Sequence, residues 1–327
     1  MMTTKTAFIT GITGQDGSYL SELLLKKGYQ VIGLVSQKYN IGYQNIAAIK
    51  DKIILEFGDL LDKKSLEKII KKYCPQEIYN LGGITFIPQS WQQAELTFRV
   101  NTLGPLNLLE LIKDLVPSAR FFQATSAKIF GYPQDFPQSE KTPICPIDPY
   151  GVSKAAAHFL VQNFRNHFKI FACSAMMYNH ESERRGNDFV TRKITSTAVK
   201  IKLGLENKLI LGNLEAEQDW GYAPDYVEAM WLMLQLKKAD DFVLATGEKH
   251  KVKDVCQIAF DYLDLDSEKY IKTDKKLIRK EETKVYYGDN SKVRKILGWQ
   301  PKTSFEDMIK KMVDYDLLLL KRGKYKK

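Results

Sequence analysis

The chain has 327 residues, 44% hydrophobic and 27% charged, proportions that allow a large core and exclude wholesale disorder. Its formal net charge is +10. The excess lysines are spread over helix faces or gathered in the tail from Lys321 to Lys327, with no RNA- or DNA-binding motif beside them, so nucleic acid is not the expected partner and an anionic substrate is.

The start, MMTTKTAFIT, holds no apolar signal segment, and no later stretch approaches the ~18 apolar residues of a membrane span. A soluble, cytoplasmic protein without a membrane partner is expected. Cys74, Cys145, Cys173 and Cys256 lie far apart with no CxxC spacing, which suits reduced thiols and argues against a metal site.

In chain order, Lys5–Thr10 reads as a strand, Ser18–Lys27 as a helix, and Tyr29–Val35 and Ile53–Phe57 as strands. Ser65–Tyr73 is helical, Glu77–Leu81 a strand, Thr102–Leu115 a helix and Arg120–Ala124 a strand. Such alternation predicts an α/β fold, a Rossmann-type doubly wound parallel sheet with a smaller α/β substrate-binding region. Beyond about Met177 the pattern loosens, with Asp241–Ala245 a late strand. The expected division is 1–177 with about 222–247 for the dinucleotide-binding part, and about 178–221 with 248–327 for the other.

Directly after the first strand comes Gly11-Ile12-Thr13-Gly14-Gln15-Asp16-Gly17. Glycines at a strand-to-helix turn let the backbone approach a pyrophosphate, whose charge then sits over a helix N-terminus. Asp59-Leu60, after the third strand, would lie beside the adenine. At the end of strand two an acidic residue would hold the ribose 2′-hydroxyl of NAD. Here that segment reads Val35-Ser36-Gln37-Lys38, without a carboxylate and with one lysine, which leans toward NADP and leaves NAD open.

Tyr150-Gly151-Val152-Ser153-Lys154 sets a phenol and an ammonium four residues apart on one helix face. A neighbouring ammonium favours phenolate, so Tyr150 would act as base toward a sugar hydroxyl. Thr125-Ser126, ending a strand, adds a hydroxyl for the reacting oxygen. Together these residues resemble the catalytic set of the extended short-chain dehydrogenase/reductase family.

Within that family the chain is similar to the GDP-mannose 4,6-dehydratases over nearly its whole length. The blocks ITGITGQDGSYL (9–20), EIYNLGG (77–83), PYGVSK (149–154), NHESERRGNDFVTRKI (179–194) and DWGYAPDYVEAMWLMLQ (219–235) carry the resemblance, with FVLATGE (242–248) and GDNSKVRKILGWQP (288–301). It implies a GDP-sugar substrate, a cofactor contact at Leu81, and substrate contacts at Thr85, Ser90, Asn179, Val190, Lys193, Gln218, Arg279 and Glu282. An arginine fork suits phosphate oxygens and a carboxylate suits ribose hydroxyls. Arg184-Arg185 reads equally as a surface ion-pair cluster or as a ligand contact. His180 reads as a structural histidine before a catalytic acid, and Trp91 as lying against the sugar or filling core.

The departures matter as much. The resemblance implies oxidation at C4, loss of water across C5–C6 and return of hydride to C6, with a glutamate as the C5 base two residues after a catalytic threonine. Here Ser126 takes the threonine's place and Lys128 the glutamate's. Three readings stay open: Lys128 is the base, as in inverting dehydratases of the superfamily, though Ala127 leaves no acid beside it; elimination is lost, leaving a C4 dehydrogenase, reductase or epimerase; or the site is degenerate. Gln218 replaces an arginine, and Ile84 and Phe86 replace Gln and His. Ser36-Gln37 replaces an arginine pair of a loop that assembles tetramers, so a homodimer is expected and a tetramer doubted.

Overall fold

The computed structural model describes residues 4–36, 42–132, 135–278, 286–321 and 323. The first half runs β1 (Thr6–Thr10), α1 (Gln15–Lys26), β2 (Gln30–Val35), β3 (Ile54–Phe57), α2 (Lys63–Tyr73), β4 (Glu77–Asn80), α3 (Ile87–Gln92), α4 (Ala94–Phe98), α5 (Gly104–Leu115) and β5 (Arg120–Ala124). There follow α6 (Pro149–Phe168), β6 (Phe171–Met177), β7 (Asn179–Glu181), α7 (Val190–Lys202), β8 (Leu209–Leu211), β9 (Glu217–Gln218), β10 (Trp220–Tyr222), α8 (Ala223–Met233) and β11 (Phe242–Leu244). Two further helices matter here, α9 (Val252–Asp261) and the C-terminal helix Phe305–Lys321.

Seven parallel strands form one sheet in the order β11-β6-β5-β4-β1-β2-β3. Alternation along each strand explains why both faces are covered. Ala7, Ile9, Val31, Tyr79, Phe122 and Cys173 face a cluster with Leu20 and Leu24 of α1 and Val227, Met230 and Met233 of α8. Phe8, Ile32, Ile78, Phe121 and Ala172 face the other way, against Leu66 and Ile70 of α2 and Leu108 and Ile112 of α5. Period-2 burial on both faces is what a buried parallel sheet demands. The strand order reverses between β1 and β4, so a crevice opens there at the carboxyl ends of the strands.

The region after Met177 is more regular than its sequence suggests. Helices α7, α9 and Phe305–Lys321 pack Ile194, Val199, Val255, Phe260, Ile309 and Met312 into a third cluster with Trp220. A buried ion pair, Arg192 with Asp316, ties α7 to the C-terminal helix. Among the described residues no helix is long and apolar enough to cross a membrane.

Candidate active site

The crevice is a cavity of about 1250 Å³ lined by Gly11, Thr13, Gly14, Gln15, Asp16 and Gly17 on one side. Ser36, Asp59, Leu60, Leu81 and Thr85 also line it. The turn has the geometry a dinucleotide needs. Gly11 has φ +70°, and a side chain there would strike the Gly82 backbone at 2.8 Å. Gly17 lies so close under Gly11 that a Cβ would sit 2.3 Å from the Gly11 carbonyl oxygen. At Gly14 only that oxygen, at 3.2 Å, comes within 4 Å of a Cβ. Helix α1 begins at Gln15 with no side-chain cap, leaving its first N–H groups for an anion. These residues fit a pyrophosphate; a nicotinamide dinucleotide is the group they would hold.

Helix α6 starts where it does because Asp148 caps it, accepting from the Gly151 N–H at 2.7 Å, with Pro149 in the first turn. That start puts Tyr150 and Lys154 on one buried face, the Lys154 Nζ 5.8 Å from the Tyr150 ring centre. Ser126 neighbours the Tyr150 phenol and favours its ionised form. Lys154 donates to the Ala124 carbonyl at 2.9 Å and lies next to Gly83 on the cavity wall. Asn101 fixes that wall, exchanging hydrogen bonds with the Ile84 backbone and donating to Ser153. Burial outweighs the groups that favour the phenolate. Burial pushes the Tyr150 phenol up to about 12, with Ser126 and Arg185 pulling it back and Asp148 and Asp16 adding to the rise. Burial likewise lowers the Lys154 ammonium to about 8, against the pull of Asp16.

Lys128 sits in the short 3₁₀ turn Ala127–Phe130 that follows Ser126, its Nζ 3.9 Å from the centre of the Tyr286 ring. Tyr286 is buried, donates to the Gly131 carbonyl and pairs through its backbone with Gln218. Gln218 in turn accepts from Asn179 at 3.2 Å. The structure thus brings Ser126, Lys128, Gln218 and Asn179 to one region. It does not bring Ser90, which is fully buried and donates to the Ile87 carbonyl. Val190 is exposed at the start of α7, and Lys193 donates to the Ile210 carbonyl at 2.8 Å. Lys38, Arg279 and Glu282 lie outside the described residues. Trp91 is 59% exposed and fills no core.

The segment 180–185 is bolted to α1. His180 Nε2 lies 2.9 Å from Asp16 and its Nδ1 bonds the Tyr178 carbonyl. A carbonyl only accepts, so Nδ1 carries a proton. Burial opposes charge on both partners, yet each holds the other ionised, raising His180 and lowering Asp16. His180 is therefore a structural ion-pair partner. Gln15 donates to the His180 carbonyl and accepts from Ser182, while Tyr19 donates to Glu183. Arg184 resolves as an ion-pair residue, with Glu22 at 2.5 Å and Ser18 at 3.0 Å. Arg185 lines the cavity, near Glu181 and stacked on Phe189. Asn101 and Glu181 carried no sequence signal; their partners are remote in the chain or lie in segments without regular pattern.

A doubly wound sheet, a glycine turn after β1 and a Tyr–Lys pair opening α6 are the plan of the extended short-chain dehydrogenases/reductases. A sequence model of one such family, described as GDP-mannose 4,6 dehydratase, matches residues 8–312. The chain is 44% identical over 332 residues to GDP-mannose 4,6 dehydratase 1 of Arabidopsis thaliana, covering 98% of this chain and 92% of that protein. It is 41% identical over 342 residues to the Homo sapiens GDP-mannose 4,6 dehydratase, covering 96% and 92%. The solved dTDP-glucose 4,6-dehydratase of Bacillus anthracis, in complex with NAD, shares the fold with a TM-score of 0.84 at 20% identity, covering 98% of each chain. The chain belongs to the GDP-mannose 4,6-dehydratase family.

Proposed function

We propose that this chain is a cytoplasmic nucleotide-sugar 4,6-dehydratase acting on a GDP-hexose, GDP-mannose first, with NADP as cofactor. The observation that carries the reading is the Tyr150–Lys154 pair on one buried face of α6, with Ser126 as neighbour of the phenol and a cavity built for a dinucleotide at the glycine turn. The absence of a carboxylate at Ser36 supports NADP over NAD. A bound nicotinamide would accept hydride from C4 and return it to C6. Tyr150 takes the C4 hydroxyl proton while Ser126 holds that oxygen, and Lys154 carries the positive charge behind the phenol. Asn179 and Gln218 hold the nucleotide-sugar, with Arg279 and Glu282 on its diphosphate and ribose. Lys128 takes the C5 proton made acidic by the C4 ketone and hands it to the departing C6 hydroxyl, so that water leaves; when hydride returns to C6, C5 takes a proton from solvent.

One contact favours a second reading, a GDP-sugar C4 dehydrogenase, reductase or epimerase. The Tyr286 face lies 3.9 Å from the Lys128 amine, and an aromatic face favours an ammonium, which is no base. The experiment is incubation with GDP-mannose and NADP⁺ or NAD⁺, with the product read by mass spectrometry. Water loss without net cofactor reduction supports dehydration; reduced cofactor without water loss supports the second reading; neither, across several GDP-hexoses, overturns both. Lys128→Ala should abolish dehydration, by about 10²–10⁴-fold, and spare C4 oxidation. Equal loss of both sinks the base assignment.

The assembly we propose is a homodimer. Trp91, Ala94 and Phe98 of α3–α4 and Pro149 and Val152 of α6 line an exposed apolar groove, and Phe159, one helical ridge along from Val152, is 46% exposed. Two antiparallel copies of this face would cover each other, as a two-fold interface requires. The division into a dinucleotide-binding part and a nucleotide-sugar part, with the third cluster as the core of the latter, belongs to the same reading.

A further inference from the structure

With Tyr150, Lys154 and Ser126 read as the oxidation site, we propose that His158 is a positioning residue for the redox step. Its ring, neutral and protonated at Nδ1, completes a one-way series of hydrogen bonds that fixes the end of β5, where Lys154 docks and Ser126 stands. Each donor follows from the one before it, starting at Thr125. The Thr125 hydroxyl donates to the Ala175 carbonyl at 2.6 Å, which spends its one proton. Ser174 Oγ, 3.2 Å away, is therefore the donor between the two hydroxyls. His158 Nδ1 lies 2.8 Å from Ser174 Oγ and must carry the next proton. On the far side of the ring, Nε2 lies 3.0 Å from the Gln162 amide nitrogen. That nitrogen also donates to Asp241 at 3.0 Å. Asp241 is a carboxylate: each oxygen takes an Arg165 N–H at 2.8 Å, and one accepts the Ser174 backbone N–H at 2.8 Å. Turning the Gln162 amide over would set its carbonyl oxygen against that carboxylate. Gln162 is thus the donor to Nε2, which offers a lone pair, and the ring is neutral.

The series ends where the redox groups are held. Strand β5 stops at Ala124, whose carbonyl accepts Lys154 Nζ at 2.9 Å. Thr125 follows, tied to Ala175 of β6 by its backbone N–H at 2.9 Å as well as by its hydroxyl. Ser126 comes next, beside the phenol. Lys154 and His158 are four residues apart, one above the other on α6. Successive turns of that helix therefore grip successive residues of the strand end, Lys154 directly on Ala124 and His158 through Ser174 on Thr125. Thr125, Ser174, His158 and Asp241 are all buried, so a partner removed from the series leaves its neighbour unsatisfied. A charged ring breaks the same grip, because an Nε2 proton would face the Gln162 N–H. Around the ring stand Gln162 and Arg165 of α6, Ser174 of β6, Asp241 before β11 and the edge-on Phe159 ring. Asp240, the neighbour of Asp241, is paired with Lys292. Burial lowers the pKa of the ring, with Asp241 opposing and Arg165 helping.

Two measurements test this assignment. Nitrogen NMR of the histidine-labelled protein at neutral pH, with the His158 signals identified by their loss in His158→Phe, should show a neutral ring protonated at Nδ1. A charged ring or a proton on Nε2 overturns the proposal, whatever the substrate proves to be. The second measurement is the rate of C4 oxidation at saturating GDP-mannose and NADP⁺, read as reduced cofactor in single turnover. His158→Phe keeps a ring in place and removes the donor; it should lower the rate about fivefold and leave NADP⁺ affinity unchanged. His158→Asn, whose amide nitrogen takes the place of Nδ1, should return the rate to within about twofold of wild type. With falling pH, the wild type should lose rate more steeply than His158→Asn, which has no ring to protonate. A wild-type rate in His158→Phe, or equal losses in the two variants, overturns the proposal. If His158→Phe does not fold, Ser174→Ala, which cuts the series one step nearer Thr125, is read the same way: a slower oxidation supports the proposal and an unchanged one overturns it. Tyr150→Phe separates the two levels. If it still oxidises C4, the reading of Tyr150 has failed; if it is dead while His158→Phe oxidises at the wild-type rate, only the role of His158 has.

Discussion

Gly17→Ala is the most direct probe of the dinucleotide turn. An added Cβ would stand 2.3 Å from the Gly11 carbonyl oxygen, 2.7 Å from Ile12 Cα and 2.9 Å from the Gly11 carbonyl carbon. These are backbone atoms and cannot rotate aside. Restoring ordinary contact means drawing α1 back from β1 by about 1 Å, although Leu20 and Leu24 anchor that helix in the core with no exposure. Such overpacking costs about 1–3 kcal/mol, offset by about 0.5–1 kcal/mol for alanine over glycine in a helix. A net loss near ~1.5 kcal/mol lowers the melting temperature of a chain this long by about 2 °C. The displaced N–H groups should also weaken NADP⁺ binding by at least about tenfold, or ~1.4 kcal/mol. Gly14→Ala is the partner experiment: its methyl meets only the Gly11 oxygen at 3.2 Å, so melting stays near wild type while binding falls. Calorimetric titration with NADP⁺ and thermal melting read both. Wild-type affinity and melting in Gly17→Ala would refute the close-approach argument.

Two further outcomes are expected. Lys154 has its folded-state pKa depressed from 10.5 to about 8, so its burial costs stability at neutral pH, and that cost fades as pH rises from about 8 through 10.5. Lys154→Met should therefore raise the ligand-free melting temperature at pH 7 by the equivalent of about 2 kcal/mol, after allowing for the lost bond to Ala124, narrow that advantage toward pH 10.5 and abolish oxidation; a destabilised variant at pH 7 contradicts the sign. Phe98→Glu places a charge at a residue 41% exposed beside Trp91 and should turn a dimer into a monomer in light scattering with melting nearly unchanged, whereas an unaltered mass removes that groove from the interface.

The first half of the fold was readable because its signals are local. Strands β1 to β5 alternate or run apolar between turn residues, and each was expected within a residue or two of its place. Helix α1 was expected from Ser18 and begins at Gln15, because the uncapped start at Gly14 belongs to the phosphate-type turn and not to the apolar stripe. The second half hid its helices for a physical reason. Helix α7, VTRKITSTAVKIK, is rich in β-branched residues of weak helix propensity, and its stability comes from packing Ile194, Ala198 and Val199 against α9 and the C-terminal helix. The glycines, Tyr150 and Lys154 announced themselves by spacing. Glu181 and Tyr286 did not, because each acquires its place from partners that only the fold supplies.

Helix α1 shows how one short segment meets two demands. The glycines of 11–17 face backbone and cavity, where only the absence of a side chain will do. The polar residues between and after them, Gln15, Asp16, Ser18 and Tyr19, also hold residues 180–184 more than 160 positions later. A generic dinucleotide turn needs only the first set. The second set ties α1 to the loop that carries Arg185 onto the cavity wall, so that the turn and the wall keep one geometry. The signature is therefore longer than a glycine pattern because it encodes a cofactor cradle and the fastening of an active-site wall in one helix. Beyond that wall, Lys154 stands beside Tyr150 on one buried face of α6. If the chain is the dehydratase proposed above, elimination would hang on the single amine of Lys128, which lies over the Tyr286 ring.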